Sequence, residues 1–149
     1  MKRNLFGIFA ATLFGVCAMN IAIAQEEPPF IPGDYWEVTG VTTADGGGLK
    51  YARWLAGQWR ENSEFAKSQG WLKDFMVISN VHARADEPDL YLIRVFENMP
   101  TVEEGEERRK EYMEWAKRSM EEMAEESGNR AEFRTVGGTS LLRHMKFRD

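Results

Sequence analysis

Three polar residues set into apolar runs could do chemistry in this chain: Asn80 and His82, two positions apart, and Arg94, between Leu92 and Phe96. Histidine titrates near neutrality, so His82 is the candidate general base or hydrogen-bond acceptor, with Asn80 beside it to orient a ligand oxygen. The planar guanidinium of Arg94 suits a carboxylate or another anion, which it grips with two parallel hydrogen bonds. Trp36 and Trp71 would form apolar walls. The expected ligand site is therefore His82, Asn80, Arg94, Trp36 and Trp71, between a sheet and the open end of its helices. The competing reading makes His82 an ordinary hydrogen-bonded or exposed histidine. Under it Arg94 joins Glu37 and Arg143 in a structural ion-pair network.

Other chemistries find less support in the residues. Two histidines, His82 and His144, without close spacing supply too few ligands for zinc, and haem ligation by either has no second motif behind it. Asp86, Glu87 and Asp89 follow His82 but lack the alternating oxygen ligands and the glycine of a calcium loop. Gly46 to Gly48 lacks the lysine and spacing of a phosphate loop. No cofactor and no metal are expected. With 24 acidic against 19 basic residues the net charge is −5, and nucleic acid is not an expected partner.

The first 24 residues read as an address. Lys2 and Arg3 precede an apolar run from Leu5 to Ala24 that ends small-x-small at Ala22 and Ala24, the pattern of a secretory signal peptide over residues 1–24. A retained membrane anchor is the alternative, but Gly7, Gly15 and Asn20 suit a processed segment better. Cleavage would give a periplasmic or secreted protein with no membrane attachment and, since Cys17 leaves with the signal, no cysteine. It would also remove Lys2 and Arg3, leaving 17 basic against 24 acidic residues and a net charge of −7. Residues 25–34, with Pro28, Pro29 and Pro32, read as a tether, and 35–149 as a single domain.

Within that domain Tyr35 to Thr43 is β-branched and aromatic, and Asp45-Gly46-Gly47-Gly48 ends it as a strand. Ala52, Leu55, Trp59 and Ala66 then recur at helical spacing over Leu49 to Gln69, with Gly70 placed to cap. Phe75 to Ala83 and Leu90 to Glu97 read as strands joined by the turn Asp86 to Asp89. Thr101 and Glu104 make a capping box for a second helix ending at Gly128, with Val102, Tyr112, Met113, Ala116, Met120 and Met123 as its buried stripe. A short strand Ala131 to Val136, a turn at Gly137-Gly138 and a strand Thr139 to Arg148 close the chain.

Strand, helix, strand, strand, helix, strand predicts an α+β domain of ferredoxin-like βαββαβ type: a four-stranded antiparallel sheet with two helices on one face. The strands carry more apolar residues than one sheet face can use, among them Val38, Val77, Val81, Leu142 and Met145. In this order of elements, and in the turn Gln69-Gly70-Trp71-Leu72, the chain resembles the dimeric α/β-barrel superfamily. The resemblance implies a homodimer packed sheet to sheet. That superfamily includes cofactor-free oxygenases, haem-using enzymes, isomerases and pure binding modules, so fold alone leaves function open. Two classes of function follow. One is an exported accessory protein binding a small organic or anionic ligand, and the other a small cofactor-free enzyme of oxygenase or isomerase type.

Overall fold

The computed structural model describes residues 27–149. The expected leader and its cleavage site lie outside the described residues. Strands β1 (Phe30–Thr43), β2 (Asp74–Ser79), β3 (Leu90–Phe96) and β4 (Arg134–Phe147) form one antiparallel sheet in the order β2-β3-β1-β4. Helices α1 (Gly48–Trp54) and α2 (Arg60–Ser68) lie between β1 and β2, joined by a π-helical turn, Leu55–Trp59. Helices α3 (Val102–Ala116) and α4 (Met120–Asn129) lie between β3 and β4. The architecture is α+β with a four-stranded antiparallel sheet, compatible with the ferredoxin-like expectation.

Local chemistry sets the element ends. Gly46, at φ +73°, turns the chain out of β1. At Gly47 a Cβ would lie 2.6 Å from the Phe133 carbonyl oxygen, so only glycine lets α1 start against the end of β4. Gly70, also at φ +73°, stops α2, and the amides of Trp71 and Leu72 both donate to the Ala66 carbonyl. At α3 the Thr101 hydroxyl accepts from the Glu104 amide while the Glu104 carboxylate accepts from the Thr101 amide, at 3.2 and 2.7 Å.

The register sorts strand residues into two faces. Tyr35, Glu37, Thr39 and Val41 on β1 stand opposite Phe96, Arg94, Leu92 and Leu90 on β3. This is the face the helices cover: Val41, Tyr51, Leu55, Trp59 and Phe133 form the buried core, with Trp54, Phe75, Leu90 and Leu92 packed against it. On the other face Trp36 and Val38 pair with Val95 and Ile93, and Met76 lies beside Ile93. Ile93 and Val95 are buried there by their neighbours alone, while Ile78 and Leu142 toward the edges are 44% and 53% exposed.

Several boundaries differ from expectation, each for a physical reason. β1 begins at Phe30, inside the expected tether, because Phe30 to Pro32 pair with β4 and not with β3. A proline is tolerated where only one neighbouring strand is present, and the pairing shifts register between Pro32 and Tyr35. β4 runs unbroken through Gly137-Gly138, which sit at a second register shift opposite Gly40. The expected single helix from Thr101 to Gly128 breaks at Lys117, whose φ of 51° is left-handed, and α4 restarts with its own capping box of Ser119 and Glu122. No residue of α3 is buried and Val102 is 88% exposed, so the expected buried stripe is only partly enclosed.

Candidate functional site

Beneath the helices the charged residues Glu37 and Arg94 interrupt the covered face of the two central strands. They are register partners, with carboxylate and guanidinium 3.6 Å apart. That separation makes an ion pair without a short hydrogen bond, and both side chains remain partly exposed, at 38% and 43%. The space above them is a cleft of about 540 Å³, within the range of small-molecule sites.

Each wall of the cleft comes from a different element. β1 and β3 give the floor, with Glu37, Arg94 and Phe96. Helix α2 lines one side with Asn62, Ser63 and Ala66, and α3 the other with Arg108 and Tyr112. The turn after α2 adds Trp71 and Leu72, and the approach to α3 adds Met99 and Pro100. Phe65 holds the indole of Trp71 edge-on, with centroids 5.3 Å apart, and stacks on Trp115 of α3 at 4.3 Å. The rim is thus braced by rings from both helices.

The π-helical turn shapes the floor of α2. Directly after it the Ser63 hydroxyl donates to the Trp59 carbonyl, four residues back, at 2.8 Å. Ser63 is fully buried, so this bond satisfies two polar groups at once. Asn62, Arg94, Arg108 and Tyr112, by contrast, make no side-chain hydrogen bond among the described residues. Four polar groups with unused capacity converge on one apolar cleft.

A smaller cavity of about 180 Å³ adjoins the same pair, lined by Glu37 and Arg94 together with Thr39, Tyr51, Trp54 and Arg134. Glu37 and Arg94 therefore form a partition shared by two cavities. Burial pushes the Tyr51 hydroxyl above the ordinary tyrosine value, opposed by the nearby Arg134 and Arg130.

Of the expected ligand residues, the structure brings Arg94 and Trp71 together in the cleft. It separates the other three. β2 ends at Ser79, not Ala83, so Asn80 and His82 do not share a strand face. The Asn80 backbone amide donates to the Asp89 carbonyl at 2.8 Å, and its side chain donates to the Pro88 carbonyl and the Glu87 carboxylate. Asn80 thus serves the β2–β3 turn, and His82 is exposed beyond it. Trp36 lies on the opposite sheet face, edge-on to His144 at 6.4 Å. Arg143 leaves the expected charge cluster: it stacks over Tyr35 at 4.6 Å and donates to the Gly33 carbonyl.

Sequence reasoning missed Asn62, Arg108 and Tyr112 as cleft residues. Tyr112 had a legible signal, its place on the apolar stripe of α3; Asn62 and Arg108 look like ordinary residues of solvated helical faces. No family model matches the chain, and neither does any curated protein or solved structure.

Proposed function

We propose that this chain is a small-ligand-binding protein whose site is the cleft between the sheet and helices α2 and α3. The observation that carries this reading is the set of four polar side chains, Asn62, Arg94, Arg108 and Tyr112, that make no side-chain hydrogen bond among the described residues and line one cleft of about 540 Å³ beside apolar walls. These side chains are half-buried, so water answers them in the free protein, and a ligand that reproduces those hydrogen bonds can displace it.

Binding without catalysis is the primary reading because the candidate general base is elsewhere: His82 is absent from the cleft lining. Glu37 is the carboxylate on the floor, and it is ion-paired with Arg94. The chain is an exported accessory protein in this account, its first 24 residues removed as a signal peptide. The sheet order supports assigning the fold as ferredoxin-like βαββαβ. The apolar face bearing Trp36, Val38, Met76, Ile78 and Leu142 supports the homodimer, two such faces packing as in a dimeric α/β barrel.

The test is native mass spectrometry on protein freshly purified from its host, with light scattering alongside. A retained small molecule and twice the mature chain mass are expected. A ligand-free protein that also fails to take up any member of a broad small-molecule library would refute the binding reading, and a stable monomer at micromolar concentration would refute the dimer.

A further inference from the structure

We infer that the cleft selects a small aromatic monoanion, its carboxylate held by Arg108 and Arg94 and its ring set against Trp71 and Tyr112. This rests on the binding reading above and names the ligand class for that same site.

The charges lining the cleft are two guanidiniums against one carboxylate. Glu37 faces Arg94 at 3.6 Å and compensates it in part. Arg108 makes no close ion pair among the described residues; Glu104, one helical turn before it, attracts it at longer range while its carboxylate accepts from the Thr101 amide. The lining thus holds one guanidinium more than carboxylates, and a ligand with a single anionic group supplies its close partner. Two-pronged carboxylate recognition suits guanidinium, and Asn62 and the Tyr112 hydroxyl add uncharged donors beside it.

The aromatic half of the inference comes from the walls. Trp71, Phe96 and Tyr112 give three ring systems, and Met99 adds a polarisable thioether that packs well on ring edges. The Arg108 guanidinium lies 5.9 Å from the Trp71 ring centroid, so cation and indole are already neighbours. A flat acid can meet both at once.

Isothermal calorimetry with 1-naphthoate and its neutral analogue 1-naphthalenemethanol tests this on the wild-type chain and on Arg108→Gln. The acid should bind the wild type at least about tenfold more tightly, a ratio of roughly 1.4 kcal/mol, and Arg108→Gln should remove most of that preference for acid over alcohol. Equal binding of acid and alcohol by the wild type overturns the anion assignment and leaves the cleft reading standing, and so does a preference that survives Arg108→Gln. Failure of both probes at millimolar concentration overturns this inference, while the binding reading stands or falls by the library screen and native mass spectrometry above. The wild-type comparison decides the charge question even if the variant misfolds.

Discussion

Glu37 and Arg94 face each other across β1 and β3, 3.6 Å apart, and together form the wall between a cleft of about 540 Å³ and a cavity of about 180 Å³. Because both side chains stay partly exposed, solvent screens their attraction. On the proposed reading the pair serves recognition more than stability. A double-mutant cycle of Glu37→Gln and Arg94→Met, followed by urea unfolding, should return a coupling energy below about 1 kcal/mol. A coupling of several kcal/mol would make the pair a structural linchpin.

The buried hydroxyl of Ser63 should matter more. It donates to the Trp59 carbonyl at 2.8 Å, and its removal takes a hydrogen bond out of a buried site. Ser63→Ala should cost about 0.5 to 1.5 kcal/mol in denaturant unfolding. A neutral substitution would mean that water or helix relaxation satisfies the carbonyl.

Lys117 holds a left-handed conformation, φ 51°, between α3 and α4. A side chain there pays a steric penalty that glycine avoids, though glycine also makes the unfolded chain more flexible. Lys117→Gly should therefore raise stability modestly, by up to about 1 kcal/mol. A lower unfolding midpoint would contradict this.

The fold was legible where one neighbouring pattern decided it, and obscure where pairing with a distant strand did. Alternation and turn residues placed β3 within a residue, and Gly70 marked the end of α2. The start of β1 could not be read that way, since Pro28, Pro29 and Pro32 argue against a strand until β4 is seen to pair with Phe30. The break at Lys117 had a readable sign, Ser119 three residues before Glu122, which the continuous charge pattern of the helix obscured. The π-helical turn at Leu55–Trp59 has no sequence signature in a spacing analysis that assumes one helical period. In the site, Arg94 stood out as a charge inside an apolar strand. Asn80 and His82 depended on β2 continuing to Ala83, and the turn chemistry of Glu87 and Asp89 ends it earlier.

Several surface charges set the pH response. The hydrogen bond from Lys73 holds the Asp34 carboxyl below its ordinary value, that from Lys67 does the same for Asp74, and the Thr101 backbone lowers Glu104. A carboxylate lowered in the folded state adds stability above its unfolded value, near 4, and that stability is lost as pH falls through the lower folded values. Lys73 and Tyr51 are raised, so their contributions are present below about pH 10 and fade as pH rises through the higher folded values. Thermal unfolding followed by circular dichroism should therefore weaken at both extremes. Asp34→Asn with Asp74→Asn should flatten the acid limb, and Tyr51→Phe the alkaline one. Unchanged limbs would place the titrating groups elsewhere.

The most direct measurement of the central claim fills the cleft from its own wall. Ala66 of α2 lines the space, and Ala66→Trp places an indole in it, so native mass spectrometry of wild type and variant, purified in parallel and matched by circular dichroism, compares an open site with a blocked one. The account predicts a small-molecule adduct on the wild type that is absent from Ala66→Trp. An adduct retained in equal amount by the folded variant would contradict it.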